Sequence, residues 1–420
     1  MINLPTKLVV LFLGVLAGAG TAWAQVAPGS GLTPDQQMNQ SLNGGTVRQR
    51  TWAYGVTLRE GYDSNYTTSQ YSHGSFTSTA SPDAQFAWSN PDTDLAMHYS
   101  YSAVYYQSRP GSQVDQSHDF SINLSHEFSS RLHVSFYDEF VPGFEPDVSI
   151  GTYQRSADYI QNTAKLSGTY ALSTRWELTT ALSQFFIRYD DSSNLGAIPG
   201  TPISTTMNRQ TYDLSEAIRY RPDSTTSMGF ALGYQNTSYE SQDRSNNGMY
   251  FDAMFTRSFT PRLLLDAKAG ASLQSYNVIS GTQINPDLSA TLTYMMSSRA
   301  SLNVGASTRM QPTEVNTYLQ SQTFLFTGGM VYQFTPKLMG SASITYAPSI
   351  YQSNLIDPQT GAGVSGNQQE NLLAESLMLG YQFTIHLRGE VGYSYTHFTS
   401  DFAGRSYDRQ LTYVQARLGF

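Results

Sequence analysis

Seven histidines, His73, His98, His118, His126, His133, His386 and His397, are the residues best suited to acid–base or metal chemistry in this chain. A hydrolytic site would need one of them beside an Asp, or in a Ser/His/Asn arrangement. Only His118 next to Asp119, and His98 near Asp94, offer that proximity in sequence. Neighbouring residues of a strand point to opposite faces, so His118 and Asp119 cannot work together if the segment is extended. His126 and His133 flank one turn and could approach each other across a hairpin. Asp190-Asp191 and the Asp63/Asn65 pair carry the oxygen ligands that calcium takes. No spaced ligand loop surrounds them, and turn chemistry explains both. There is no Cys, which excludes disulfides, thiolate metal sites and nucleophilic thiols. The reading is therefore no catalytic residue, no metal site and no cofactor.

The elements that carry these residues explain their scatter. Apolar and polar residues alternate with period two from Trp52 to Phe420. Phe120, Ile122 and Leu124 alternate with Asp119, Ser121, Asn123 and Ser125, and Leu263, Leu265, Ala267, Ala269 and Ala271 alternate with Arg262, Asp266, Lys268 and Ser272. Such runs exceed the usual strand of a soluble protein and match the ~9–11 residues a tilted strand needs to cross a membrane.

An internal repeat punctuates the strands. Phe128-Ser-Ser-Arg131-Leu132, Phe259-Thr-Pro-Arg262-Leu263, Phe334-Thr-Pro-Lys337-Leu338 and Phe383-Thr-Ile-His386-Leu387 share one pattern, with close variants at Leu172–Trp176 and Met296–Ala300. Asn90-Pro91-Asp92 and Arg221-Pro222-Asp223 supply two more tight turns. Longer polar connections fall near 63–75, 107–116, 142–157, 190–207, 240–247, 278–283, 310–320, 352–370 and 400–405. Eight short turns alternating with nine long loops predict an all-β, single-chain, antiparallel up-and-down transmembrane barrel of about eighteen strands. A propeller blade would need four short strands per repeat, and each repeat here holds two long ones.

Composition agrees. Tyr (29) and Phe (21) are abundant while charged residues make up only 13%, against about 25% in soluble proteins. A net charge of −8 argues against nucleic-acid binding. Two aromatic girdles are expected. Trp88, Phe128, Trp176, Tyr220, Phe259, Tyr294, Phe334, Phe383 and Phe420 would form one, and Tyr62, Tyr105, Phe140, Phe186, Tyr239, Tyr276, Tyr351 and Phe398 the other. Residues 1–24, with Lys7, an apolar stretch and Ala22-Trp23-Ala24, read as a cleaved secretory signal peptide, 25–50 as a periplasmic lead-in and 51–420 as the barrel. Val414, Ala416, Leu418 and Phe420 form a final apolar face ending in Phe, which resembles the sorting signal read by the barrel-insertion machinery.

The segment from Trp52 to Asn65, closing Leu58-Arg-Glu-Gly-Tyr-Asp-Ser-Asn65, resembles the opening strand of the outer-membrane β-barrel porin family of Gram-negative bacteria. The strands around His118-Asp-Phe and Tyr-Asp-Glu-Phe140, and the Ser-Thr-Arg hairpin, are similar to the same family. The resemblance implies an integral outer-membrane pore and carries no catalytic or binding residue across.

If the apolar face meets lipid, the inward residues include Arg59, Asp94, Asp119, Glu127, Arg131, Glu139, Lys165, Glu177, Asp213, Arg219, Asp266, Lys268, Arg309, Arg388, Glu390, Arg409 and Arg417. Both signs occur in similar numbers, which favours a porin-like channel for small hydrophilic solutes with weak ion selectivity. A polysaccharide export conduit or accessory, and a surface binding or scaffold barrel with a closed lumen, remain alternatives. The expected partners are outer-membrane lipid, the insertion machinery, the solutes, and a further copy of the chain if it assembles as a homo-oligomer. Glu216 breaks the pattern by falling on the lipid face between Leu214 and Ile218.

Overall fold

The computed structural model describes residues 51–145, 152–155, 158–190, 207–240, 244–277, 282–313, 315, 318–351 and 368–420. The proposed signal peptide and the lead-in lie outside them, as does Asp191. Eighteen strands run through the described residues. The first six are β1 (Trp52–Asp63), β2 (Ser75–Ser89), β3 (Thr93–Tyr106), β4 (Val114–Ser129), β5 (Leu132–Gly143) and β6 (Asp158–Ala171). The next six are β7 (Trp176–Asp190), β8 (Arg209–Tyr220), β9 (Thr226–Tyr239), β10 (Asn246–Thr260), β11 (Leu263–Tyr276) and β12 (Thr282–Ser297). The last six are β13 (Ala300–Pro312), β14 (Gln320–Gln333), β15 (Leu338–Tyr351), β16 (Gln368–Gln382), β17 (Leu387–Ser400) and β18 (Tyr407–Gly419).

Each strand pairs antiparallel with its sequence neighbours, and β1 pairs with β18, so the sheet has no edge. The seam runs from Gly55↔Gly419 to Asp63↔Leu411, and is locked at its end by reciprocal backbone bonds between Tyr54 and Phe420. Closure is what lets a β-structure cross hydrocarbon, where no water satisfies an unpaired N–H or C=O.

The sequence repeat has a local cause. In each motif the hydroxyl after the large apolar residue accepts the backbone N–H two positions on: Ser129 from Arg131, Ser173 from Arg175, Thr260 from Arg262, Ser297 from Arg299, Thr335 from Lys337 and Thr384 from His386. Asn90 and Asp223 perform the same task with a carbonyl or carboxylate oxygen. A side-chain acceptor satisfies a donor that the tight turn would otherwise strand, so Ser, Thr, Asn or Asp recurs there.

The outer face is the apolar one. Trp52, Tyr54, Val56 and Leu58 on β1, Phe230 and Leu232 on β9, and Val391 on β17 are all exposed on it. The girdle at the short-turn end is present, with Trp88, Phe128, Trp176, Phe259, Phe334, Phe383 and Phe420 exposed. Val414 and Leu418 are likewise exposed in the outward row of β18, with Ala416 between them. The far girdle is corrected. Tyr62 and Tyr105 do face out, but Tyr239, Tyr276, Tyr351 and Phe398 are buried inside the barrel. One residue of parity sends an aromatic to the other face, and aromatics at the long-loop end pack beneath inward loops as readily as they sit in lipid. A closed barrel with an apolar exterior and aromatics at its end is an outer-membrane protein by construction.

The carboxylates on the outer face include Glu216, Glu60, Asp138 and Glu375. Glu216 receives the Thr180 hydroxyl at 2.8 Å, Glu60 that of Ser78 at 2.7 Å, and Asp138 the Asn162 amide at 3.1 Å. Glu375 faces out beside Leu377 on β16. In three of the four, a polar neighbour on the adjacent strand replaces part of the lost water. Replacing Glu216 with Leu should still stabilise the barrel, by about 1–2 kcal/mol, since acidic groups on a lipid face cost somewhat less than Arg or Lys. Urea unfolding in lipid vesicles measures this, and a loss of stability would mean that Glu216 faces a polar partner rather than lipid.

Candidate functional site: the pore lining

The inner face is polar, and its charges are arranged in sectors. Around the seam they are zipped together. Arg59 donates to Gln415 at 2.7 Å while stacking over Tyr413, and Gln415 donates to Glu390, which is paired with Arg388. Arg417 binds Asp83 at 2.9 Å. Arg409 reaches Asp63 at 2.6 Å.

On β3 to β12 neutral donors are commoner. Glu127 meets His133 at 3.0 Å, Asp213 accepts from the Tyr250 hydroxyl at 3.2 Å, and Asp266 from Thr256 at 2.9 Å. Asp94 is held by Ser89. Lys268 lies between Asp287, at 2.7 Å, and Asp252, at 3.4 Å. Glu177 is paired with Arg221 at 2.7 Å. Asp119, Glu139, Lys165, Arg219 and Arg309 occupy inner-face positions of β4, β5, β6, β8 and β13, by register with these neighbours. Arg131 stands in the tight turn between β4 and β5, below the wall it was assigned to.

The histidines do not assemble a site. His118 faces out and bonds Tyr99, while Asp119 faces in. His133 pairs across the hairpin with Glu127, and His126 bonds Thr93 on the opposite face, so the expected approach of His126 and His133 does not occur. Asp63 and Asn65 form a turn, with the Asn65 N–H donating to Asp63 and its amide to the Ser69 and Asp408 carbonyls. Outside the barrel, His397 and Tyr395 both bond Asp408 at 2.7 Å.

The sequence left open which of the long connections 142–157, 190–207 and 352–370 folds inward to narrow the pore, and the described residues of the first form a strap across the mouth. The connection between β5 and β6 carries Glu145 and residues 152–155 to the far wall. Tyr153, 1% exposed, stacks on Phe398 at 5.2 Å and packs with Leu325, Ala347, Leu372 and Tyr407. Its hydroxyl meets Ser349 at 2.6 Å, and its carbonyl accepts from Tyr407 at 2.7 Å. A chain rooted between β5 and β6 that touches β14 to β18 must span the mouth, because those strands lie well round the closed wall.

Ion pairs fix the strap at its two ends. Glu145 binds Arg409 at 2.5 Å. Loss of water around Glu145 pushes its carboxyl up, but the Arg409 guanidinium outweighs this and brings it below the usual range. Arg155, fully buried, binds Asp115 at 2.7 Å and lies over the Phe144 ring at 4.7 Å. Asp115 is also gripped by both Nη atoms of Arg109. Thr68, in the β1–β2 connection, takes a left-handed backbone with φ +48°. Its carbonyl accepts from Gln154 and its hydroxyl from the Arg155 N–H. A non-glycine residue held there is uncommon and marks a position fixed by its surroundings.

Below the strap the inner wall is exposed among the described residues. Asn303, Thr327 and Ser343 sit on the inner faces of β13, β14 and β15 and are exposed to water. A Cβ added to Gly329, on the same face, would meet no atom within 4 Å.

No family model matches the chain, and no curated protein matches it. Among solved structures it is similar to OccAB4 of Acinetobacter baumannii, with 11% identity, a TM-score of 0.44, and 89% of this chain and 99% of that one covered. It is also similar to OpdK of Pseudomonas aeruginosa in a structure with vanillate, at 11% identity and a TM-score of 0.44, covering 88% of this chain and 99% of that one. OpdQ of Pseudomonas aeruginosa stands at 12% identity and a TM-score of 0.44, with coverage of 88% and 100%.

Proposed function

We propose that the protein is a porin-like channel for passive diffusion of small hydrophilic solutes across the outer membrane, with weak ion selectivity. The observation that carries this is the hydrated inner face of a closed wall, with Asn303, Thr327 and Ser343 accessible to water inside the barrel. A barrel of this strand number has room for an aqueous channel unless something fills it. The strap narrows the mouth, and among the described residues none fills the space before Asn303, Thr327 and Ser343 below it. Weak selectivity rests on the mixture of signs, because a ring dominated by one sign would discriminate strongly. The outer membrane supplies the lipid, and the outward row Val414, Ala416, Leu418 and Phe420 is the segment proposed for recognition by the insertion machinery.

Purified protein in a planar bilayer should give discrete conductance steps. A folded barrel that inserts and stays silent would refute the channel and favour a surface-binding or scaffold role. Glucose-sized sugars should enter proteoliposomes in a swelling assay, while long polysaccharide chains should be excluded by the strap. Passage of polysaccharide would favour the export conduit.

A further inference from the structure

We infer that the short-turn rim of the barrel binds anionic phospholipid of the inner leaflet, at a site centred on Arg257 and Arg262 of the β10–β11 hairpin. Short turns face the periplasm, so the lipid they meet is that of the inner leaflet. Six consecutive turns, from β4–β5 to β14–β15, each carry one base: Arg131, Arg175, Arg221, Arg262, Arg299 and Lys337. The two remaining turns break the row. His386 meets the Gly419 carbonyl at 2.7 Å, and the β2–β3 turn carries Asp92 instead. The bases therefore form an arc from β4 to β15, away from the seam.

Little of this charge is cancelled by the protein itself. Arg221 is paired with Glu177 at 2.7 Å, while the other five are exposed and have no carboxylate partner among the described residues. The acids nearest them are engaged elsewhere. Glu127 meets His133, Asp266 accepts from Thr256, and Asp223 accepts from the hydroxyl and the N–H of Thr225. Glu127, Glu177 and Asp266 also belong to the inner face. Asp223 shares the turn of Arg221, so that turn adds no net charge, and the excess rests on the other five.

Arg257 is the observation that points to lipid. It lies on the outer face of β10, in the exposed row with Phe251 and Phe259, and its guanidinium stands 5.4 Å from the Phe259 ring. A guanidinium on a lipid-facing wall is tolerated where it can reach the headgroups, and Arg257 is close enough to the strand end to do so. Arg262, in the adjoining turn, brings a second guanidinium to the same hairpin. Four of the six turn bases also stand within three residues of an exposed ring, Phe128, Trp176, Phe259 or Phe334. Such rings mark the headgroup level, so the arc lies at the depth of the phosphates. The turns are too short to project from it. Pro261 and Arg262 alone join β10 to β11, and Ser298 and Arg299 alone join β12 to β13. A soluble partner would have to reach these charges at the bilayer surface, where lipid phosphates already stand. Arginine takes a phosphate with two parallel N–H bonds. An anionic headgroup, unlike a zwitterionic one, brings no cation to oppose the arc.

Quenching of tryptophan fluorescence by brominated lipid tests this. The reporter is Phe259→Trp in a chain with every other tryptophan replaced by phenylalanine, folded into vesicles of phosphatidylcholine and phosphatidylglycerol with one of the two brominated. A control chain keeps Trp88 alone, beside the turn that carries Asp92. At position 259 phosphatidylglycerol should be enriched over phosphatidylcholine, by about fivefold for each arginine engaged. Trp88 should show no such enrichment. Arg257→Gln/Arg262→Gln should abolish it at position 259, and Arg257→Lys/Arg262→Lys, which keeps the charge, should retain most of it. Equal occupancy by the two lipids at position 259 would overturn the inference and leave the arc to an acidic periplasmic protein. Enrichment as strong at Trp88, or enrichment that survives the glutamine variant, would overturn it too. Conductance plays no part in this readout, so its outcomes stand apart from the channel reading.

Discussion

Replacing residues 145–157 by an Asn-Gly turn should raise single-channel conductance several-fold while the barrel remains folded. Gly143 pairs with Tyr159, so the two strand ends already stand side by side and a two-residue hairpin can join them. The strap contributes no strand, its Glu145 reaches the seam through the side chain of Arg409, and the wall on both sides is held by continuous ladders. Its removal would expose Leu325, Leu372 and Phe398 to lumen water. That loss of burial is modest beside the stability of the whole sheet, at about 25 cal/mol per Å² of apolar surface. An unchanged conductance would place the narrowest point elsewhere.

A gentler version uses pH. The Glu145 carboxyl titrates below its ordinary value of ~4.3 because Arg409 stabilises the charged form. Its contribution to holding the strap is therefore complete above that ordinary value and is lost as the pH falls through the lowered one. Conductance of the wild type should be flat across neutral pH and change only in strong acid. Glu145→Gln should shift neutral-pH behaviour toward the acid form.

The strands were legible because their signals are local. Alternation at Phe120 to Ser125 depends on adjacent residues, and the Ser/Thr acceptor of each tight turn lies two positions from its donor. Strand order followed from the alternation of short and long connections. The orientation of wall residues such as Arg59, Asp213 and Lys268 also follows from parity along one strand. The strap was not legible, because its contacts join distant parts of the chain. Tyr153 meets Ser349 and Phe398, and Glu145 meets Arg409, with nothing in the β5–β6 connection to distinguish it from the polar loops at 190–207 and 352–370. The same gap explains the misplaced aromatics. Tyr351 and Phe398 stand at strand ends where lipid-facing and inward-packing roles require the same residue type, and inward connections cover both, Tyr153 of the strap over Phe398 and Tyr318 with Phe402 over Tyr351. Asp115 and Glu370 were overlooked for a related reason, since each lies near a strand end and acquires its partners from loops.

Arg405→Ala should be among the most damaging single substitutions in the mouth, costing about 3–5 kcal/mol, the usual effect of removing one partner of a buried ion pair. Glu370, with 0% exposure, accepts from Arg405 at 2.7 Å, from the Ser400 hydroxyl at 2.8 Å and from the Tyr351 phenol. Without the guanidinium a fully buried carboxylate keeps only neutral donors. The damage should spread, because the Arg405 carbonyl accepts from Gln154 of the strap, and Tyr351 packs with Tyr318 and Phe402 at the base of two connections. Two mechanisms could produce such a loss, an uncompensated charge or the missing stem of a long side chain. The double variant Arg405→Ala/Glu370→Gln separates them, since a carboxamide oxygen still accepts from Ser400 or Tyr351 and carries no charge. If the charge is responsible, the double variant recovers most of the stability lost by Arg405→Ala, measured by urea unfolding and by protease resistance of the 401–406 connection. If packing is responsible, the double variant is no better than the single one. The charge mechanism is the expected one, because the arginine head is engaged at the carboxylate in a site closed to water, where the electrostatic contribution exceeds that of a few methylene contacts.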